Sequence, residues 1–500
     1  MGKEEEYKAI IKQNLNNTLF NGFVPELGVH KSGKVRDVHF TSPDAESSIV
    51  MVASDRISCF DHILSRQIPF KGAILNLFAQ WAFDNTKDIV DNAVIKSPHD
   101  NVIIQKKMDK LSFEFVVRGY VWGSMAADYE DGKREFCGIK LSDNLLRYQK
   151  LDEPLFTPAT KAEDGDHDVN ISFEYMADKI GTKLATELKD VSIKLYERAS
   201  KLAKEKGFIF IDTKYEFGLD QKKKIYLIDE ANTPDSSRYC TIEEYKKYKD
   251  IKTEMDSGSY KDVTELLKKK PKLKIKELSK QFARDVLVEK GFSYGASGAP
   301  PDLSDEDVIE VSYRYIDLYE TLTGKNFNFP QTNVRLDLIE KLKDTGYIKG
   351  GLVAIVAGSD SDMPHIEKIK SELDKYGIPS HVRICSAHKQ PSTCEKIIKH
   401  YNESLEPIVI VAVAGGTDAL SGVASFHSVY PVISCPPDSK EYTSCINNPS
   451  GSSNSLILKP ANVARHVAQI LGYANNKLND ALLKGNAEKI AKLEQADRGV

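Results

Sequence analysis

The sequence has few of the features that mark membrane, secreted or nucleic-acid-binding proteins. Its 500 residues include seven cysteines, none in a CxxC pair, so neither a disulfide framework nor a zinc site is expected. No stretch approaches the length of a membrane span, and the N-terminal MGKEEEYKAI lacks the apolar core of a signal peptide. The formal net charge of -4 provides no global field for nucleic acid or an anionic membrane. We therefore expect a cytoplasmic protein with small-molecule partners, no nucleic acid and no membrane.

The chain is too long for one ordinary hydrophobic core, so more than one domain is expected. Its character changes at Gly350-Gly351, where a helix-like stretch gives way to GLVAIVAGSDSD. We predict a mixed α+β domain over residues 1–345. Residues 351–500 alternate short apolar runs with helical stretches, which predicts a doubly wound α/β domain with a parallel sheet and a C-terminal helical tail.

The stretch IDTKYEFGLDQKKKIYLIDEANTPDSS places several carboxylates in two short apolar runs separated by a lysine-rich turn. Residues two apart share a strand face, so Asp212, Lys214 and Glu216 are expected to point the same way. A four-residue loop would set Glu216 directly opposite Asp229, which is unfavourable unless a cation lies between them. Magnesium, held by these carboxylates and nucleotide phosphates, would resolve the repulsion. The alternative is an exposed hairpin with solvated charges.

A second pattern, SGKVRDVHF, offers two cations after a glycine. Lys34 and Arg36 are two residues apart, so we expect them to share a strand face in an early hairpin. There they can bind the phosphates of a nucleotide whose metal is held by Glu216 and Asp229. An exposed strand pair without a ligand is the alternative reading.

Six motifs occur in the order found in SAICAR synthetases: GKVRD, ASDRISCFDHIL, VVRGYVWGS, FTPATKAEDGDHD, DTKYEFG and DEANTPDSSR. The chain resembles that family over nearly all of residues 15 to 325. The resemblance implies an α+β ATP-binding fold distantly similar to kinases. It also implies an enzyme of purine biosynthesis that uses ATP to join carboxyaminoimidazole ribonucleotide (CAIR) to L-aspartate.

The same resemblance assigns roles to individual residues. Lys34 and Arg36 contact ATP phosphates, Glu216 and Asp229 hold magnesium, and Asp212 and Lys214 are catalytic beside them. The positions that bind the ribonucleotide or aspartate are Arg118, Ser124, Arg238, Asp55, Lys161 and Asp168. Two of these have structural alternatives, since Asp55 could cap a turn and Asp168 could cap the helix near NISFEYM.

In the C-terminal domain, three successive strands end in small polar residues. They are the segments VAGSDSD, CSAHK and AVAGGT, which we expect at one edge of the sheet, where ligands of parallel sheets bind. Pro364 in the first turn of the following helix indicates a helix start, whose free N–H groups suit a phosphate. Asp362 could instead be only the cap of that helix.

These motifs, with YPVISCPP, resemble aminoimidazole ribonucleotide (AIR) carboxylases over about residues 352 to 472, which implies a flavodoxin-like fold. By this resemblance the ribonucleotide is held by Gly358, Ser359, Ser361, Asp362, Ser386 and Lys389. Gly415, Gly416 and Thr417 line a carbon dioxide site, and His388 is the proton shuttle. Lysine after Ser386-Ala387-His388 resembles the class that takes carbon dioxide directly, without biotin or ATP.

Together, the two resemblances imply a fused bifunctional enzyme, a synthetase followed by a carboxylase. Its substrates would be AIR, carbon dioxide, CAIR, L-aspartate and ATP, and the carboxylase part implies a homo-octamer. Two alternatives stay open for the C-terminal domain: a mutase that rearranges an N-carboxylated substrate, and a nucleotide-sensing module without catalysis.

Overall fold

The structure is a computed structural model that describes residues 2–40, 48–60, 62–161, 168–278, 280–293, 295–438, 443–473 and 475–498. Residues 162–167 of the motif FTPATKAEDGDHD therefore lie outside the described part of the chain. Among the described residues, every helix is too short or too polar to cross a bilayer.

Helices and strands occur along the whole described part of the chain. The helices are α1 (Lys3–Gln13), α2 (Lys71–Asp84), α3 (Gly123–Glu130), α4 (Phe173–Ile180), α5 (Thr182–Glu205), α6 (Ile242–Tyr245), α7 (Lys247–Asp256), α8 (Val263–Lys269), α9 (Gln281–Glu289), α10 (Asp305–Thr323), α11 (Val334–Asp344), α12 (Met363–Asp374), α13 (Pro391–Asn402), α14 (Leu420–His427), α15 (Pro460–Gly472) and α16 (Asn476–Arg498). The strands are β1 (Val29–Ser32), β2 (Arg36–Phe40), β3 (Ser48–Ala53), β4 (Ser58–Cys59), β5 (His62–Ile63), β6 (Val94–His99), β7 (Val102–Lys106), β8 (Asp109–Lys110), β9 (Phe113–Tyr120), β10 (Glu135–Phe136), β11 (Ile139–Lys140), β12 (Lys150–Phe156), β13 (Ala159–Thr160), β14 (Phe208–Leu219), β15 (Ile225–Ile228), β16 (Ser237–Thr241), β17 (Leu352–Ala357), β18 (Ser380–Ile384), β19 (Ile408–Val413), β20 (Val432–Ser434) and β21 (Ser455–Leu456).

The chain divides into two compact units. The first comprises Met1–Phe20, Gly33–Arg36 and Pro43–Val334, and the second comprises Asn21–Ser32, Asp37–Ser42 and Arg335–Val500. Two short N-terminal segments thus belong to the unit that contains the C-terminal third of the chain. The domain limits expected from the sequence, 1–345 and 351–500, stay a prediction.

The first unit is a mixed α+β structure built around the long strand β14. This strand pairs antiparallel with β9 on one side and with β15 and β16 on the other, in a seven-stranded sheet that also includes β8, β12 and β13. Helix α5 packs against the sheet through a buried stripe that includes Leu188, Leu195 and Tyr196, at helical spacing. The Tyr196 hydroxyl donates to the Phe210 carbonyl at 2.8 Å, which fixes the helix against β14.

The second unit contains the predicted parallel sheet, with strand order β18-β17-β19-β20-β21. Every residue of LVAIVA in β17 and of IVIVAV in β19 is buried, as is typical of strands covered on both faces. Helices α12 and α15 pack on one face, and α13 and α14 pack on the other. Ile366, Ile369 and Leu373 form the buried stripe of α12 that their spacing predicts.

Candidate active sites

The charged face of β14 carries a row of ion pairs. Asp212 lies opposite Arg118 of β9 and opposite Arg238 of β16. Both guanidinium groups donate to the same carboxylate oxygen, Oδ2, at 2.9 Å from Arg118 and 2.6 Å from Arg238. The Nε of Arg118 also donates to Thr157 at 3.1 Å. The sheet therefore holds two fork-shaped cations side by side, an arrangement that suits phosphate and carboxylate groups.

The start of helix α3 lies against Arg238. Gly123 has φ +58°, and a Cβ atom there would lie 2.8 Å from Nη1 of Arg238. The position therefore requires glycine both for its left-handed backbone and for the close approach of the guanidinium. Ser124, the next residue, is exposed in the first turn of α3. Three ribonucleotide residues predicted from the sequence, Arg118, Ser124 and Arg238, are thus brought to one region of the first unit.

Further along β14, two more charges are paired across the sheet. The Lys214 ammonium donates to Glu114 of β9 at 2.5 Å. The Glu216 carboxylate is ion-paired with both Lys161 and Lys110. Burial acts in the opposite direction, but these two lysines hold the pKa of Glu216 low, at about 2. Glu216 is therefore ionised at neutral pH.

The predicted pairing of Glu216 with Asp229 is wrong by one residue. Glu216 lies opposite Ile228, because the loop between the strands has five residues, 220–224, instead of four. The Asp220 side chain accepts the N–H groups of Lys222 and Lys224, both at 2.8 Å, and this enlarges the loop. Asp229 follows the strand with φ +62°.

The carboxylates of Asp229 and Glu216 are nevertheless near enough for their negative charges to interact. Burial, followed by the negative charge of Glu216, raises the pKa of Asp229. The neighbouring Glu230 accepts a hydrogen bond from Arg36 at 2.9 Å and another from Thr233 at 2.6 Å. This brings Arg36, predicted to bind ATP phosphates, next to the predicted magnesium ligands.

Lys34 does not share a strand face with Arg36, as was expected. Residues 33–35 form a turn that the Gly33 N–H closes by donating to the Arg36 carbonyl at 2.8 Å. Strand β2 begins only at Arg36, so Lys34 lies exposed in the turn. The glycine that suggested a phosphate contact is part of this turn.

Asp55 fits its structural alternative. It is 2 % exposed, and its two carboxylate oxygens accept the N–H groups of Leu19 and Gly72, at 2.8 and 2.9 Å. Burial raises its pKa to about 6. The carboxylate therefore joins two chain segments to the stretch that follows β3.

Asp168 is exposed and does not cap the helix near NISFEYM. The cap of α4 is Ser172, whose hydroxyl accepts the N–H of Tyr175 at 3.1 Å. The alternative role of Asp168 as a helix cap is therefore wrong, and its place in the active site stays a prediction.

Several charged residues of this region were not predicted from the sequence to belong to the site. They are Lys71, Lys110, Glu114, Glu230, Asp235 and Glu277. Lys71 is wholly buried and donates to Asp235 at 2.7 Å, and the same carboxylate accepts the Tyr315 hydroxyl at 2.7 Å. Asp235 and Glu230 lie within DEANTPDSSR, so only these two carried a local signal.

The carboxylates present fit a magnesium ion that nucleotide phosphates help to hold. Among the residues that the structure describes, no cluster of three or more Asp, Glu, His or Cys side chains forms a complete metal cage. Magnesium in nucleotide sites usually takes one or two carboxylates together with phosphates and water. Glu216 and Asp229 supply two such carboxylates, and Glu216 is ionised at neutral pH.

In the second unit, the predicted polar segments meet at the carboxyl edge of the sheet. Ala357, at the end of β17, is aligned with Ile384 of β18 and with Val413 of β19. The segments 358–362, 386–389 and 415–417 follow directly from these strand ends. The prediction that these three strand ends meet at one edge of the sheet is therefore confirmed, and their role as a binding site stays a prediction.

The first of these segments is ordered by its own hydroxyl groups. The Ser359 hydroxyl accepts the N–H of Ser361 at 3.2 Å and the Ser361 hydroxyl at 2.8 Å. Asp362 occupies the position before α12 without a side-chain cap hydrogen bond, so capping is not its role. It is nearly buried, and burial raises its pKa.

The other two segments present exposed groups. The Ser386 hydroxyl accepts the N–H of Lys389 at 3.3 Å, and His388 between them is exposed. Gly415, Gly416 and Thr417 are also exposed.

The residue after Thr417 was not predicted from the sequence to have a role in this segment. Asp418 is 3 % exposed and accepts hydrogen bonds from Ser421 N–H and the Ser434 hydroxyl, both at 3.0 Å, and from the Cys445 thiol at 3.1 Å. It thereby fixes the glycine segment to α14, to β20 and to residues 443–445.

Comparisons with known proteins follow the same division of the chain. A family model described as SAICAR synthetase matches residues 29–290, and one described as AIR carboxylase matches residues 352–492. The phosphoribosylaminoimidazole-succinocarboxamide synthase of Cytophaga hutchinsonii is 39% identical over 311 residues, which are 61% of this chain and 91% of the relative. That of Thermobifida fusca is 38% identical over 317 residues, 61% of this chain and 94% of the relative. The solved SAICAR synthase of Saccharomyces cerevisiae in complex with SAICAR is 30% identical, with 62% of this chain and 99% of that chain covered at a TM-score of 0.50.

Proposed function

Because the chain belongs to the SAICAR synthetase family and also carries an AIR carboxylase domain at residues 352–492, we propose that it catalyses two consecutive steps of purine biosynthesis. The second unit carboxylates AIR with carbon dioxide to give CAIR. The first unit then couples CAIR to L-aspartate with ATP, which gives SAICAR, ADP and phosphate. The observation that carries this proposal is the presence of both family domains in one chain.

The synthetase step needs activation, because a carboxylate oxygen is too poor a leaving group for an amine to displace. The CAIR carboxylate attacks the γ-phosphorus of ATP, and ADP leaves, so that an acyl phosphate forms. The amine of aspartate then adds to the acyl carbon, and inorganic phosphate leaves with the bonding electrons. Lys214, beside the phosphoryl group, offsets the charge that develops during transfer, and catalysis is mainly positioning and electrostatics.

The other cations of this region bind the two nucleotide substrates. Arg118 and Arg238, which both donate to Asp212, bind the ribonucleotide with Ser124 at the start of α3. Arg36 and Lys34 contact ATP phosphates. Asp55, Lys161 and Asp168 retain the role in ribonucleotide or aspartate binding that the family resemblance implies, although the backbone donors on Asp55 make its part indirect.

Glu216 and Asp229 would hold magnesium. When bound, the ion supplies positive charge that neutralises the phosphate oxygens during transfer.

The carboxylase step uses the nucleophilic C4 of the AIR imidazole, which attacks carbon dioxide directly. The adduct retains a proton on C4, and His388 removes it to restore the aromatic ring. Imidazole suits this role because it ordinarily titrates near neutral pH and so works in both directions. Gly358, Ser359, Ser361, Asp362, Ser386 and Lys389 hold the ribonucleotide, and Gly415, Gly416 and Thr417 line the carbon dioxide site.

The choice of carbon dioxide over an N-carboxylated substrate rests on one residue. Lys389 follows Ser386-Ala387-His388, which is the pattern of the carboxylases that take carbon dioxide directly. The experiment below distinguishes a carboxylase from the two alternatives, a mutase and a nucleotide-sensing module.

The test supplies purified protein with AIR and ¹³C-bicarbonate, and follows the products by mass with and without ATP, magnesium and aspartate. Labelled CAIR without ATP, converted to labelled SAICAR when the other components are added, is the expected result. Turnover only of the N-carboxylated substrate would show a mutase. Binding of AIR without any turnover, unchanged in His388→Asn, would show a sensing module.

We also propose that the carboxylase unit assembles the protein into a homo-octamer. Mass photometry of the purified chain should then show one main species of about eight times the 55.9 kDa chain mass. A monomer or dimer at micromolar concentration would contradict this.

A further inference from the structure

The second unit contains a cleft of about 490 Å³ along the edge strand of its sheet. It lies between residues 23–30 and the edge strand β18, next to helix α13. We name it the histidine cleft and define it by the lining residues Phe23, His30, His381, Arg383, His400 and Tyr401. Three imidazoles from three different parts of the chain meet in it.

Several ring side chains pack together at the cleft, and Phe23 contacts two of its histidines at tilted angles. The ring centroids of Phe23 and His400 are 4.2 Å apart, and those of Phe23 and His30 are 4.9 Å apart. His30 in turn stacks on His39 at 4.9 Å. His39 is wholly buried and accepts the N–H of Val24 at 3.0 Å. This aromatic cluster is therefore anchored to the backbone. Phe23 is only 4 % exposed, so the rings that the cluster offers to a ligand are those of the partly exposed His30 and His400.

The cleft is positively charged at one end. His381 and Arg383 are two residues apart on β18, so they lie on the same face of the sheet. Burial first, and the charge of Arg383 in addition, lower the pKa values of His381 and His400. Arg383 also interacts with the hydroxyl of Tyr401.

Acidic groups near the cleft lie beside its histidines. Asp37 contacts the ring of His30 at 2.9 Å and accepts the N–H of Gly22 at 2.8 Å. Glu403 lies near His400, and Glu26 lies near His381. Lys370 also lines the cleft but donates to Glu367 at 2.9 Å, so the exposed guanidinium of Arg383 is the stronger attraction for an incoming anion.

We propose that the histidine cleft binds a nucleoside monophosphate, with its base against the partly exposed ring of His400 and its phosphate on the exposed Arg383. The volume lies in the range of small-molecule sites, about 300 to 1,000 Å³. Aromatic walls stack planar bases, and a planar guanidinium binds phosphate through two parallel hydrogen bonds. A metal is not the expected ligand, because the described residues contain no cluster of three or more candidate ligands.

This site is separate from both reactions of the proposed function. Strand β18 nevertheless leads directly from Arg383 to Ser386, so a nucleotide in the cleft would bind next to the segment that carries His388. Binding is measured without AIR, CAIR or aspartate, so a failure of either proposed activity does not affect the result.

The experiment titrates AMP into the full chain by isothermal calorimetry, with the ATP site filled by a non-hydrolysable ATP analogue and magnesium. Wild type should bind AMP, and Arg383→Ala should weaken this binding about tenfold or more, as loss of a charged hydrogen-bond pair predicts. Arg383→Lys keeps the positive charge but loses the two parallel donors of the guanidinium. Its affinity for AMP should lie between those of wild type and Arg383→Ala. His400→Ala should weaken binding several-fold through lost stacking.

Lys396→Ala is the matched control, because it removes a cation from the exposed side of the same helix α13. It should bind AMP as wild type does. If Arg383→Ala unfolds, which thermal melting would reveal, Arg383→Lys and His400→Ala still decide the matter. The proposal is overturned if wild type shows no AMP binding, or if Arg383→Lys and His400→Ala bind AMP as tightly as wild type.

Discussion

Replacing Glu406 with glutamine should change how the stability of the second unit depends on pH. Glu406 is wholly buried, and its Oε1 accepts the N–H of Glu26 at 2.7 Å. The Glu26 carboxylate accepts the N–H groups of Lys349, Gly350 and Gly351 at 2.6, 2.8 and 2.9 Å. Burial first, and then the neighbouring Glu26 carboxyl, raise the pKa of Glu406 well above its ordinary value. The raised pKa favours the protonated form of Glu406 beside the Glu26 carboxyl group.

The sign and size of the effect follow from linkage. The folded-state pKa of Glu406 lies above its unfolded value, so its stabilising contribution is complete below about pH 4 and is lost as pH rises through the folded-state pKa. Over that window the free energy of unfolding falls by about 1.4 kcal/mol per pH unit relative to a neutral side chain. Glutamine cannot ionise, so the stability of Glu406→Gln relative to wild type should rise by about 1.4 kcal/mol for each pH unit between the unfolded-state and folded-state pKa values.

The measurement must report on the second unit alone. Both tryptophans, Trp81 and Trp122, lie in the first unit, so hydrogen exchange of peptides from β17 and β19 is the suitable probe. Exchange free energies of wild type and Glu406→Gln are compared from pH 5.5 to 8.5, after correction for intrinsic rates. Glu403 is exposed, so Glu403→Gln is the matched control. Its exchange free energies should change with pH in the same way as those of wild type. A difference between wild type and Glu406→Gln that stays constant with pH would show that Glu406 is already ionised in the fold.

Three further predictions concern catalysis. Glu216→Gln should abolish ATP-dependent formation of SAICAR and leave carboxylation of AIR intact, and near-normal turnover of magnesium-ATP would disprove its role as a metal ligand. His388→Asn should do the reverse, and an unchanged carboxylation rate would remove His388 as the proton shuttle. Gly123→Ala should raise the KM for CAIR about tenfold with little effect on carboxylation. Its Cβ would lie 2.8 Å from Arg238 and its φ of +58° costs about 1–2 kcal/mol for a residue with a side chain. A KM for CAIR equal to that of wild type would show that the close packing does not position Arg238.

The second unit was predictable because its signals are local. Apolar runs such as 352–357 and 408–413 alternate with helical stripes, and such alternation leaves few topologies other than a covered parallel sheet. The meeting of the strand ends at one edge follows from the topology alone. The attachment of residues 21–32 to this unit was not predictable, since the hydrogen bond from the Leu405 N–H to the Phe23 carbonyl joins positions hundreds of residues apart.

In the first unit, strand alternation correctly indicated a charged face on β14, but not what neutralises it. The partners of Lys214 and Glu216 come from β8, β9 and the segment after β13, and no local pattern connects these segments. The one-residue error in the hairpin register arose from Asp220, whose side chain adds a residue to the loop. Since a shift of one residue reverses which face a side chain occupies, small errors in loop length matter most for such site predictions.

The ion pairs of the first unit bear on how its substrates would bind. A lone buried charge costs several kcal/mol, and the pairs of Asp212 with two arginines and of Glu216 with two lysines avoid that cost. On the proposed function, an incoming phosphate would share the two arginines with Asp212, and Glu216 would exchange its lysines for magnesium. Binding then exchanges one set of partners for another and leaves no charge uncompensated. Because the cations are already held in place, little side-chain entropy is lost when the substrates bind.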